Sequence, residues 1–252
     1  MANYDQERLH QVELGRRADM AIDQGLRSYM LSVYNYMAMA LALTGLVALG
    51  AYNMAVVETP AGLAFSEFGQ AIYASPLKWV VMLAPLGFVF FLSFRIQKMS
   101  LTAAQATFWL FAGVMGLSLS SIFLVYTGES ITTTFFVTAA AFGSLSLYGY
   151  TTKRDLTGMG SFLFMGLIGI IIAMVVNIFL ASSALQFAIS VIGVLVFAGL
   201  TAYDTQRIKG MYYEGDSVAA SGKKAVMGAL SLYLDFINMF MFLLQFLGSQ
   251  RN

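Results

Sequence analysis

Two aspartates are the residues of this chain best placed to do chemistry. Asp235 sits in GKKAVMGALSLYLDFINMFMFLLQFLGSQ, where residues 225–247 are apolar enough and long enough to cross a bilayer. An ionised carboxylate at a bilayer centre costs about 3 kcal/mol or more, so the group has to face a protein interior or a wet cavity. Gly228, Ser231, Asp235, Asn238 and Gln245 recur at helical spacing and share one side of a helix, with Leu and Phe on the others. Small residues permit close helix approach and polar ones find partners there, so this supporting stripe belongs against other helices.

Asp204, in FAGLTAYDTQRIKG, is the natural partner, at the point where the preceding apolar segment runs out. The polar connection RIKGMYYEGDSVAASGKK makes the helices on either side antiparallel neighbours. Asp235 lies about ten residues, roughly 15 Å, into its helix. A shift of two turns, or an unwound end, would then bring the carboxylates together. Two carboxylates within about 4 Å cannot both stay ionised cheaply, so they titrate as a unit. Such a pair can bind a proton, or a hard cation such as calcium through its oxygens. Arg95, in FLSFRIQKMS, ends an earlier apolar segment on the same side. Its forked guanidinium suits it to latch one carboxylate, although the same residue also reads as an ordinary charge flanking a span. Asn177 is a weaker candidate.

Other chemistries are poorly supplied. There is no cysteine, which removes disulfides, thiolate ligands and a cysteine nucleophile. The one histidine, His10, lies in a polar stretch and reads as a surface residue rather than a ligand. A net charge of +1 without a basic cluster makes nucleic acid a poor partner. No glycine-rich nucleotide loop is expected, because no strand is expected for it to follow. No cofactor is implied.

The elements that position the aspartates are membrane helices. Hydrophobic types make up 59% of the 252 residues and charged types 11%, far below the roughly 25% of soluble domains. The apolar residues come in blocks near the length that hydrocarbon thickness demands. The expected fold is all-α, an integral membrane protein of seven transmembrane helices. A polar cytoplasmic tail covers residues 1–28, the transmembrane domain 29–248 and a short carboxyl-terminal stub 249–252. The first span has its apolar core near Tyr36 to Val57, and the next stretch, with Pro60 and Pro76, reads as a loop with an amphipathic turn. Pro85 marks a kink site in the second span. Gly113, Gly116, Gly166 and Gly169 read as helix-packing residues. Twelve of the 14 Lys and Arg residues fall on one side if the amino terminus is cytoplasmic, leaving Lys78 and Arg251 on the other. That bias places the carboxyl terminus outside. A rival topology has six spans and a re-entrant last segment.

At TAYDTQRIK and LYLDFINMF the chain resembles the Bax inhibitor 1 family, the transmembrane Bax inhibitor motif proteins, and its bacterial members in particular. The likeness covers roughly residues 28–248. It implies a bacterial inner (plasma) membrane protein whose last helix sits in the middle of the other six, with a pH-sensitive calcium leak governed by a paired-aspartate sensor. By motif, Asp204 and Asp235 match that pair, and Arg95 resembles a second-helix arginine that helps latch the closed state. The partners implied are calcium ions, protons, the lipid bilayer and a membrane protease, and the chain is expected to act as a monomer. The death-suppressing role of eukaryotic relatives is not carried over. The leading expectation is a proton-gated cation leak. The alternative is a non-conducting regulator that binds a membrane protease or another membrane protein. A secondary transporter lacks repeat symmetry or paired broken helices, and an enzyme is the least favoured reading.

Overall fold

In hydrocarbon each backbone group without a partner costs several kcal/mol, and a helix satisfies all of them internally. Each long apolar block of this chain accordingly becomes a helix. The computed structural model describes residues 2–60 and 62–251, with side chains from residue 23 onward, Glu58 aside. His10 and most of the charged tail thus lie outside the described side chains.

The main helices are α1 (Ala2–Ala55), α3 (Leu77–Arg95), α4 (Leu101–Leu119), α6 (Gly128–Thr151), α7 (Thr157–Leu180), α8 (Ser183–Gly210) and α9 (Val218–Leu247). Short helices α2 (Glu67–Gly69) and α5 (Ile122–Val125) complete the set. Among the described residues, seven segments are long and apolar enough to cross a membrane, in the order expected. Side-chain oxygens of Ser100, Thr127, Ser182 and Ser217 accept from backbone N–H groups and so start α4, α6, α8 and α9. The helix α3 continues through Pro85 to Arg95.

Two features differ from the sequence expectation. Helix α9 starts at Val218, because the Ser217 cap lets a polar turn form ahead of the apolar run. Lys224 in that added part bonds Asp216 at 2.6 Å and the Met211 carbonyl at 3.0 Å, which ties the α8–α9 connection down. The chain is also not free of strands. β1 (Val56–Thr59) and β2 (Gly62–Phe65) form an antiparallel ribbon after α1. Gly62 takes φ +115 at its turn, a conformation open to glycine at little steric cost. Four-residue strands without alternation leave no periodic signal to read.

Helix α9 is the most enclosed span. Two-thirds of its apolar window (67%) is buried, against 11–33% in the other six. Its main neighbours are α8, α1, α6 and α4, while α3 leans on α4 and α7 on α8. Leu232, Tyr233, Phe236, Met239 and Phe240 of α9 are buried, packed in part against Phe108, Phe111 and Phe142. The polar stripe does meet α8 at Ser231 and Gln245. The apolar sides are nonetheless buried more deeply than Ser231, Asn238 or Gln245, since a helix largely enclosed by others has little lipid-facing side for its grease.

Close approach depends on particular glycines. A Cβ on Gly149 of α6 would lie 2.2 Å from the Ala202 carbonyl oxygen of α8, and one on Gly116 of α4 would lie 2.6 Å from the Thr44 oxygen of α1. Gly113 and Gly169, by contrast, face open space. Gly149→Ala should therefore lower the thermal stability of the purified protein by about 1–3 kcal/mol, since rigid backbone must give way. Gly143→Ala on the same helix meets nothing within 4 Å and should be neutral or stabilising, because alanine favours the helix. Equal melting shifts for the two would contradict the close α6–α8 contact.

Candidate functional site

Four consecutive residues of α8 build one side of the site. At about 100° per residue, Tyr203, Asp204, Thr205 and Gln206 must point to different sides of their helix. The Tyr203 ring lies over Gly160 of α7, where a Cβ would come within 2.5 Å of it. Thr205 Oγ1 shares a 3.0 Å hydrogen bond with Ser146 Oγ of α6, which in turn bonds the Tyr34 hydroxyl of α1. Gln206 clamps the turn before α7, accepting from the Leu156 N–H at 2.8 Å and donating to the Arg154 carbonyl at 2.8 Å. In that turn, hydrogen bonds from the side chain and then the backbone of Thr157 hold the exposed Asp155 carboxyl below the usual carboxylate range.

Asp204 is the member of this set that serves α9. It is 8% exposed, and its Oδ1 accepts from Arg207 Nη2 at 3.1 Å, one turn further along α8. The same Nη2 donates to Ser231 Oγ of α9 at 3.2 Å. One guanidinium thus joins a carboxylate of α8 to a hydroxyl of α9, while its outer part stays half-exposed 5.7 Å from the Tyr203 ring centroid.

Asp235 follows Ser231 by one turn of α9 and is 5% exposed. Through Ser231, Asp235 shares the α8–α9 contact made by Asp204 and Arg207. Its Oδ2 is fully buried and has no hydrogen-bond partner among the described residues. Buried side-chain oxygens are nearly all bonded, so this one is an exception that calls for a proton, a water or a cation. The two carboxylates and Ser231 supply fewer oxygens than the roughly six to eight that calcium takes, so an ion here would keep water in its shell. Among the described residues no group of three or more His, Cys, Asp or Glu side chains converges.

The remaining sequence candidates fall elsewhere. Arg95 is exposed at the end of α3 and forms no ion pair among the described residues; the guanidinium on Asp204 belongs to Arg207. Asn238 turns back on its own helix and donates to the Leu234 carbonyl at 2.8 Å. Gln245 and Asn177 join a separate amide cluster at the other end of α7, α8 and α9, bonded through Gln186 at 2.8 and 3.1 Å. Two site features escaped the sequence reading. Arg207 stands three residues after Asp204, the spacing of a helical ion pair. The fully buried Tyr233 hydroxyl donates to Thr44 Oγ1 at 2.7 Å, and Thr44 donates on to the Ala112 carbonyl. A tyrosine in the middle of a span, away from the interfaces where tyrosines collect, was its available signal.

Residues 26–252 match the protein family described as Bax1-I, inhibitor of apoptosis-promoting Bax1. Among similar proteins, an uncharacterised protein of Rickettsia prowazekii is 50% identical over 231 residues, 91% of this chain and 93% of the relative. The Escherichia coli inner membrane protein YbhL is 48% identical over 229 residues, 90% of this chain and 94% of its own. An uncharacterised membrane protein of Streptococcus pyogenes is 33% identical over the same shares.

The clamp by Gln206 is open to a direct check. Gln206→Ala removes both bonds to the turn before α7, each worth about 1 kcal/mol. Amide exchange at Leu156 should speed up roughly tenfold, while exchange in the middle of α8 stays unchanged. No change at Leu156 would show that the clamp contributes nothing.

Proposed function

We propose, since this chain belongs to the Bax inhibitor 1 (Bax1-I) family, that it is a multi-pass protein of the bacterial inner membrane through which calcium leaks under the control of Asp204 and Asp235. The observation that carries this reading is the unpartnered, buried Oδ2 of Asp235 on the most enclosed helix, in reach of a second carboxylate. Ionisable groups inside membrane helices mark ion or proton paths far more readily than plain scaffolding. The location follows that of the Escherichia coli relative YbhL, an inner membrane protein. Both carboxylates and Arg207 come from one chain, so a monomer suffices.

The closed state is the one in which the pair shares a single proton. The remaining negative charge holds Arg207, and Arg207 holds Ser231, so α8 and α9 stay joined at this end. Loss of the shared proton puts two negative charges side by side, which attracts cations and drives the pair apart. Gain of a second proton removes the carboxylate that the guanidinium needs. Either change loosens the same contact.

Calcium flux into liposomes holding only the purified protein tests this. Between about pH 6 and 8, wild-type flux should vary with pH, and Asp204→Asn or Asp235→Asn should flatten the profile. The change at Asp235 should matter more, since its surroundings are drier and its field less screened. Arg207→Gln should raise the leak, and Arg95→Gln should leave it near wild type, because Arg207 is the residue on Asp204. A double aspartate variant with the wild-type profile would rule out the carboxylates as sensor and favour the non-conducting regulator.

The amino terminus is placed in the cytoplasm and the carboxyl terminus outside, on the Lys and Arg bias. Helix α9 supports a full crossing, since its unbroken 30 residues span about 45 Å. A reporter active only in the cytoplasm, fused after residue 252, should stay silent. A strong signal would reverse the orientation or return the last segment to the cytoplasmic side.

A further inference from the structure

A groove of about 550 Å³ runs between α1 and α6, apart from the aspartate site. Leu31 on α1 and Gly143 and Leu147 on α6 form its open walls, and the lining is almost wholly apolar. A side chain on Gly143 would meet nothing within 4 Å, so the space over that part of α6 is empty of protein. Both walls belong to membrane spans. From Phe142 to Tyr150 the groove follows α6 for roughly 12 Å, the reach of a partly inserted acyl chain. Water would find few partners against such a lining, whereas hydrocarbon is the solvent the groove opens onto.

One end of the groove carries charge. Arg27 lines it, is exposed and forms no ion pair among the described residues. Close by, Lys209 Nζ donates to the Tyr150 carbonyl at 2.9 Å and lies 4.9 Å from the Tyr150 ring centroid. Nine of the eleven Lys and Arg with described side chains, all but Lys78 and Arg251, fall at this end of the helices. A basic mouth above an apolar groove between membrane helices matches the two parts of an anionic phospholipid.

We propose that the α1–α6 groove binds one anionic phospholipid, with an acyl chain against Gly143 and Leu147 and the headgroup phosphate on Arg27. Its back wall contains Tyr34 and Ser146, whose hydroxyls continue to Thr205 beside Asp204. The bound lipid therefore braces the α6–α8 contact next to the acidic pair. The proposal stands on the groove alone and holds whether or not the protein conducts ions.

Native mass spectrometry of the purified full chain, exposed to phosphatidylglycerol or to phosphatidylcholine with the same acyl chains, tests it. Wild type should retain phosphatidylglycerol about fivefold better, the preference expected from one cationic residue at the headgroup. Arg27→Gln should bring the two lipids to parity. Gly143→Phe fills the empty space and should lower retention of both, as should Leu31→Trp from the opposite wall. Gly87→Phe, on exposed α3 with nothing within 4 Å, serves as the bulk control and should retain lipid as wild type does. Helicity and melting identify any variant that misfolds, and the wall substitutions on two different helices back each other up. Equal retention of the two lipids by wild type, or full retention by folded Gly143→Phe and Leu31→Trp, would overturn the proposal.

Discussion

A carboxylate buried inside a membrane protein constrains everything around it. Asp235 lies near the middle of the helix that the rest of the bundle encloses, and an ionised group there is costly unless protein or water compensates it. Enclosure is what allows the residue to exist at all, because on any lipid-facing helix the same group would meet hydrocarbon. The order of the bundle serves that need. Helices α1, α4, α6 and α8 close around α9, and tight glycine contacts such as Gly149 on Ala202 let α6 and α8 come near enough to do so. On α9, enclosure leaves Asp235 Oδ2 without a partner among the described residues, and the proposed function grows from it.

The second carboxylate is handled differently. Asp204 stands where α8 leaves the apolar region, and its charge is held by Arg207 from the same helix. Because Arg207 also reaches Ser231, the ion pair acts on the α8–α9 contact rather than on α8 alone. Exposed ion pairs contribute little by themselves, and Arg207 is half-exposed. Its value lies in position, since one guanidinium touches both the buried carboxylate of α8 and a hydroxyl of α9. The residues beside Asp204 keep it aimed. Tyr203, Thr205 and Gln206 each hold α8 against a different neighbour, so rotation of the helix would break several contacts at once.

Much of this was legible in the sequence, and the misses have physical causes. The seven spans could be read because hydrocarbon thickness sets helix length. The central place of α9 followed from its likeness to a family, and an acidic residue amid apolar ones agreed with it. The ribbon of Val56–Phe65 could not be read, since four-residue strands carry no period. The early start of α9 was missed because hydropathy does not see a helix that continues above the membrane on the strength of a serine cap. Helical spacing within TAYDTQRIK also puts Arg207 on Asp204, a pairing that a positive charge flanking a span does not announce. The lipid groove had no sequence signal, because it is a gap between α1 and α6, far apart in the chain.

The central claim is that Asp204 and Asp235 behave as one titrating unit. Infrared difference spectroscopy of the protein in lipid nanodiscs reads protonated carboxyl bands directly as pH is changed. If the account is right, Asp235→Asn will change the titration of the band that Asp204→Asn removes, and the reverse will hold. If each band titrates the same with and without the other aspartate, the two groups are independent and the paired sensor does not exist.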